Sequence, residues 1–257
     1  MQQNNTLKPM PLWQSLLMSL APGAMIFIAT FVVARRFLEA TGHPFLVGYL
    51  IAWGGSEVVI FLASLAAYLL EGNPLSWRAF TSRYRLYKMT GKDWLWAAAM
   101  LIMIFVASFG LSFTAEWVAR IPGLAVPDFF PPEAVPGRLE TLTPSEFMGM
   151  TLSGQWWVAV TFFVGWFCNI FGEEFWYRGF IFPRQELTHG RYTWIIHGLL
   201  FGLFHFPQWW NLPWIVPVSL FGAYAIQRRK NTWIQIIAHG LANMSLLIVV
   251  IVGVIGQ

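Results

Sequence analysis

The sequence is poor in charge. Only 11% of its 257 residues are Asp, Glu, Lys or Arg, against about 25% in a soluble domain. With 57% hydrophobic residues and a mean hydropathy of +0.56, that deficit excludes an ordinary soluble protein and points to an integral membrane protein. Cysteine is nearly absent. The single Cys168 excludes an internal disulfide, and its apolar surroundings read as those of a small buried residue. Aspartate is as scarce. Asp93 and Asp128 fall at a span edge and in a loop, so a paired-aspartate mechanism within the membrane has no residues. No His-Glu-x-x-His zinc motif occurs. There is no sequence repeat, low-complexity segment or soluble domain. The polar start, Met1 to Pro11, lacks a small-residue cleavage site, so the first hydrophobic run reads as a retained span. A net charge of +4 would suggest nucleic acid in a soluble protein. Here the basic residues fall in short loops, where topology explains them, and no nucleic-acid partner is expected.

What is present is a series of seven apolar stretches, roughly 12–34, 44–70, 94–118, 156–182, 193–209, 212–226 and 233–255. At about 20 residues per span, they predict an all-α polytopic transmembrane helix bundle of about seven spans, within a range of six to eight. The whole of 1–257 reads as one transmembrane domain, with a catalytic core at about 155–255 and a cavity formed by the C-terminal spans. Residues 72–92 hold Arg78, Arg83, Arg85, Lys88 and Lys92, interleaved with Trp77, Phe80, Tyr84, Leu86 and Tyr87. That mixture suggests a segment lying on the membrane surface. Residues 120–150 hold six prolines and the acids Asp128, Glu133, Glu140 and Glu146 against Arg120 and Arg138. Basic loops stay on the cytoplasmic side. In a seven-span chain this puts 72–92, 184–191 and 228–230 inside and the acidic loop outside, with the N-terminus inside and the C-terminus outside. Arg35-Arg36 is the exception.

The charges at Glu173, Glu174 and Arg178 directly follow the apolar run 156–171. Ionisable groups in or beside a span are expensive and usually functional. Residues four apart share a helix face, so Glu174 and Arg178 form a pair with the acid in the favoured N-terminal position. Glu173 points about a quarter turn away, without a local cation, which suits a general base. His205 lies in another span, and His239 and Asn243, four apart, in a third. Each alone reads as an interhelical hydrogen bond; together they can meet in one cavity. His197, about 80° round from His205, reads as structural, and His43 and His189 as solvated loop residues. Glu57 reads as a structural acid beside glycines or as a group bordering the cavity. Trp209, Trp210 and Trp214 read as membrane-interface residues or, alternatively, as the lining of an entry path from lipid.

A carboxylate, two imidazoles and an amide in such a cavity fit hydrolysis of a peptide bond. The base deprotonates water, and His and Asn donate to the oxyanion that forms. Alternatively Glu173, His205 and His239 hold a zinc ion, since two His and one Glu form a catalytic ligand set. Neither Ser56 nor Ser245 sits in a nucleophile turn. A mechanism based on Cys168 needs a tertiary contact to histidine. Outside catalysis, the same groups would serve packing or a proton path in an immunity factor, scaffold or transporter-like protein.

Glu173-Glu174-x-x-x-Arg178, Phe201-x-x-x-His205 and His239-x-x-x-Asn243 resemble the three motifs of the CPBP family. That family contains the type II CAAX prenyl endopeptidases and bacterial membrane proteins linked to bacteriocin processing or self-immunity. The resemblance implies an all-α intramembrane protease, in a bacterial cytoplasmic membrane, acting on a membrane-associated protein substrate of the CAAX type. It implies that Glu173 and His205 activate water and that His239 and Asn243 stabilise the oxyanion; Glu174 and Arg178 match the motif too, and their pairing gives them a supporting role. The family has been described both as zinc-dependent and as glutamate-dependent. Asn243 suits an oxyanion donor better than a zinc ligand, so no cofactor is favoured, with zinc the alternative.

Overall fold

The computed structural model describes residues 7–131 and 145–256. The described residues are 78% helical with almost no strand. Helix α1 (Leu12–Ile28) passes through a π-helical turn, Ala29–Ala34, into α2 (Arg35–Thr41). Helix α3 (Phe45–Tyr49) passes through a second such turn, Leu50–Gly54, into α4 (Gly55–Leu70). The short α5 (Trp77–Arg83) precedes α6 (Gly91–Gly110) and α7 (Thr114–Ala119). A two-residue hairpin, β1 (Glu146–Phe147) and β2 (Met150–Thr151), leads to α8 (Trp156–Glu173). A third π-helical turn, Glu174–Ile181, joins α8 to α9 (Phe182–His189). Helices α10 (Thr193–Phe204), α11 (Leu212–Arg229) and α12 (Trp233–Ile255) complete the bundle.

Among the described residues, five helical stretches are long and apolar enough to cross a membrane: Leu12–Thr41, Phe45–Leu70, Gly91–Gly110, Trp156–Phe204 and Trp233–Ile255. The polytopic bundle stands; the division differs from the seven expected stretches for physical reasons. Helix α6 ends at Gly110 rather than near 118, and α7 is separate. Helix α10 has 12 residues, about 18 Å at 1.5 Å per residue, too short for a hydrocarbon core of about 30 Å. Helix α11 has 18 residues but ends in Gln227, Arg228 and Arg229. The expectations resting on Glu133, Arg138 and Glu140 lie outside the described residues.

Lipid-side and packed faces separate along each span. On α8, Trp156, Val160 and Phe163 are exposed, while Val158, Phe162 and Ile170 are buried. Apolar matching drives little association inside lipid, so close packing at small residues matters. A Cβ on Gly198 or Gly202 of α10 would fall within 2.7 Å of Leu220 or 2.9 Å of Val216 on α11. This is a small-xxx-small contact that seats the two helices tightly.

The three basic segments meet at one end of the bundle, tied by acids. Glu71 receives Arg83 Nε at 2.6 Å and Arg184 Nη2 at 2.5 Å. Glu186 receives Arg85 at 2.7 Å and pairs with Lys230. Asp93 closes a capping box with Thr90 at the start of α6 and pairs with Arg229 at 2.8 Å. The segment 72–92 does not simply lie on a surface. Trp77 is exposed, but Tyr84 and Leu86 are buried. The Tyr84 hydroxyl donates to the Ser64 carbonyl at 2.5 Å, and its ring stacks on Phe175 with centroids 4.8 Å apart. Glycine at 179 makes room for that ring: a Cβ there would sit 2.1 Å from it.

Candidate active site

Helix α8 carries Glu173 in its last turn, and the π-helical turn that follows carries Glu174 and Arg178. Such wide turns are frequent at functional sites. His205 caps the C-terminal end of α10; His239 and Asn243 sit one turn apart on α12. All six line one cavity of about 370 Å³.

A hydrogen-bond network links four of them. The Asn243 amide Nδ2 donates to Asn169 Oδ1 at 2.9 Å and to His239 Nε2 at 3.1 Å. Asn169 Nδ2 donates to Glu173 Oε1 at 2.6 Å. His239 Nδ1 lies 3.2 Å from Glu174 Oε1, and Glu174 Oε2 lies 3.3 Å from Arg178 Nε. The bonds fix one tautomer. Nδ1–H of His239 donates to the carboxylate, so Nε2 accepts from Asn243. The Arg178 guanidinium also lies 3.6 Å over the Phe201 ring, a cation–π contact. His205 stands apart from the network. Its Nδ1–H donates to the Phe201 carbonyl at 3.0 Å, which leaves Nε2 as the acceptor.

Further polar groups line the cavity, Asn169, Gln235 and Glu57 among them. Asn169 bridges Asn243 to Glu173; it lies four residues before Glu173, the spacing that marks the other pairs. Gln235 lies four residues before His239. Glu57, read from the sequence chiefly as structural, is 3% exposed and borders the cavity from α4. Neither of its carboxyl oxygens makes a hydrogen bond among the described residues. His197 stays outside the cavity, buried, with Nδ1 at 2.7 Å from Gln185 Oε1. Trp214 lines the cavity. Trp210 is buried against Phe130 rather than set at an interface, and Trp209 donates to the Leu124 carbonyl at 2.8 Å.

The zinc alternative fits this arrangement poorly. Among the described residues no three His, Cys, Asp or Glu side chains are grouped to hold a metal ion. Of the set Glu173, His205 and His239, His239 has both ring nitrogens engaged within the network. Glu173 Oε1 is taken by Asn169.

Outside the spans, Glu71 marks the basic end. Burial pushes its carboxyl up, but hydrogen bonds and charge from Arg83 and Arg184 outweigh that and hold it below its ordinary 4.5.

Fold and cavity together define a polytopic membrane protein with a polar, acid- and imidazole-bearing site inside its helix bundle. Residues 155–245 match the family described as type II CAAX prenyl endopeptidase Rce1-like, in agreement with the motif resemblance to the CPBP proteins. All six motif residues fall inside that segment. The proteins that this description names are endopeptidases of the CAAX type. No curated protein and no solved structure matches the chain.

Proposed function

We propose that the chain is an intramembrane endopeptidase that hydrolyses a peptide bond of a prenylated, CAAX-type protein. The observation that carries this reading is the convergence of Glu173, His205, His239 and Asn243 on one cavity. Glu173 keeps Oε2 without a hydrogen-bond partner among the described residues. In the proposed reaction this oxygen and His205 Nε2 hold a water between them. Glu173 takes the water's proton as the hydroxide oxygen bonds to the scissile carbonyl carbon. The tetrahedral oxyanion then needs donors, but both N–H groups of Asn243 are already in use. One must turn from His239 Nε2 to the oxyanion. The proton held on Glu173 passes to the amide nitrogen, the C–N bond breaks, and an amine and a carboxylic acid leave. Glu174 and Arg178 hold His239 in its tautomer and orientation. The basic end of the bundle, where 72–92, 184–191 and 228–230 meet, faces the cytoplasm by the positive-inside rule.

The test is cleavage of a farnesylated Cys-a-a-X peptide by purified protein in detergent. Glu173→Gln is expected to lower the rate by about 10²- to 10⁴-fold, the range for loss of a general base, with helical content unchanged. Cleavage at the wild-type rate by a folded Glu173→Gln variant would refute the assignment of the base. Equal cleavage of the same peptide without its farnesyl group would remove prenylation from the reading.

A further inference from the structure

Polar side chains on α8 and the π-helical turn after it meet those of α12 in rungs, like steps between antiparallel rails. Asn169 meets Asn243, and Glu174 meets His239. Moving one turn toward the basic end takes 174 to 178 on one side and 239 to 235 on the other. Arg178 and Gln235 stand at those positions, and both line the same cavity. The first two rungs are closed by hydrogen bonds between the helices; the third is open. Arg178 Nη1 and Gln235 Nε2 are buried and make no hydrogen bond among the described residues. Both residues are 2% exposed.

Helix α11 adds a third such group. The amide of Gln235 reaches across to α11, where a Cβ on Gly222 would fall 2.1 Å from Nε2. Ser219 lies one turn before Gly222 on the same helix. It too is 2% exposed, with a hydroxyl that makes no hydrogen bond. Arg178, Gln235 and Ser219 all line the cavity. Their unpartnered atoms are a guanidinium N–H, an amide N–H and a hydroxyl, so each can donate and one is charged. Buried donors without acceptors are costly and call for a partner.

We propose that this third rung is an acceptor-binding subsite, which takes a carboxylate or carbonyl oxygen of the substrate peptide. The proposal rests on the endopeptidase reading and extends it to substrate placement. One helical turn, about 5.4 Å, separates the rung from His239. The rung therefore fixes which bond of a bound peptide faces Glu173. Guanidinium pairing makes a terminal carboxylate the stronger ligand, and an internal carbonyl the weaker one.

The experiment measures binding in the Glu173→Gln background, which separates recognition from hydrolysis. The probe is a fluorescent farnesylated Cys-a-a-X peptide, made with a free C-terminal carboxylate and as its C-terminal amide. Adding Gln235→Leu is expected to weaken binding of the carboxylate probe by about tenfold or more, and Ser219→Ala to weaken it less. Gln235→Glu, nearly isosteric, is expected to weaken the carboxylate probe further than Leu does and the amide probe less, because it sets like charge against like. A purely structural role for Gln235 would not produce that charge-dependent split. If the amide probe binds as tightly as the acid and Gln235→Leu weakens both, the ligand is an internal carbonyl. Unchanged affinity in Gln235→Leu, Gln235→Glu and Ser219→Ala would overturn the subsite. Gln235→Glu and Ser219→Ala decide the matter if the leucine variant does not fold. Failure of the Glu173→Gln protein to bind either probe, with no cleavage by the wild type, would instead overturn the endopeptidase reading and the subsite with it.

Discussion

Removing one member of the Glu174–Arg178 pair should destabilise the bundle more than removing both. The two side chains are 1% and 2% exposed, with Glu174 Oε2 and Arg178 Nε 3.3 Å apart. Their geometry is not that of a hydrogen bond, so charge holds them. At that separation and an effective dielectric near 20, the attraction is about 5 kcal/mol. Desolvation of both ions offsets much of it, which is why replacing a whole buried pair with apolar residues is often neutral. Removing one partner strands the other, at about 3–5 kcal/mol. The two singles should not be equal. After Arg178→Met, Glu174 keeps the imidazole of His239 at 3.2 Å. After Glu174→Leu, Arg178 keeps only the Phe201 face at 3.6 Å, and His239 loses its partner as well. Glu174→Leu should therefore be the worse single. The double variant should be more stable than Glu174→Leu alone, keeping only the cost of the His239 Nδ1–H that has lost its acceptor. Thermal unfolding in detergent, followed by circular dichroism, reads this as a fall of about 10 °C in the worse single. A double variant as unstable as the sum of the singles would refute the reasoning, because it would mean the two charges are independent.

Three other outcomes follow from the same physics. The Glu71 carboxyl is depressed below 4.5 by Arg83 and Arg184 despite its burial. Its contribution is therefore present above about pH 4.5 and lost as pH falls through the lower folded value; in unfolding midpoints measured against pH, Glu71→Gln should flatten that acid limb and lower stability at neutral pH. Gly179→Ala would put a methyl group 2.1 Å from the Tyr84 ring and should cost about 1–3 kcal/mol, whereas a midpoint equal to wild type would show that Tyr84 moves freely. Cleavage should survive chelation with verified metal removal, since Glu173, His205 and His239 are not grouped as a metal site; loss of activity restored by added zinc would overturn that expectation.

The motif residues were legible because charge and imidazole are conspicuous in apolar runs and because four-residue spacing reports a shared helix face. Asn169 and Gln235 carry the same spacing, one turn before Glu173 and His239. They are harder to see because an amide in a span is equally at home as a packing hydrogen bond. Only the contacts distinguish them: Asn169 is bonded to both Glu173 and Asn243, whereas the Gln235 nitrogen has no partner among the described residues. Burial of Tyr84 was hidden for another reason. A basic, aromatic segment has the composition of a surface helix, and the gap at Gly179 that admits the ring belongs to a chain segment 95 positions later. The span divisions shifted because hydropathy records apolar length but not the π-helical turns or the break after Gly110.

Glu57 shows what a motif alone leaves out. The segment shared with the Rce1-like proteins, 155–245, supplies every group of the proposed chemistry. It does not enclose the site. Tyr49, Trp53 and Glu57 from 45–70, and Met100 and Ile104 from α6, also line the cavity. In a low-dielectric site, excluding bulk water is what gives fixed donors and acceptors their strength. The walls that exclude water here come partly from helices outside the matched segment. The same helices shape the room for a substrate's side chains or lipid. The groups of the proposed chemistry thus come from the matched segment, while the walls around them come from both parts of the chain. Substitutions at Trp53 or Met100 should change which peptides are cleaved more than how the bond is broken, and paired kcat and KM values for peptides of different side-chain bulk would separate the two effects. A uniform loss of kcat across all peptides would place those residues with the chemistry instead.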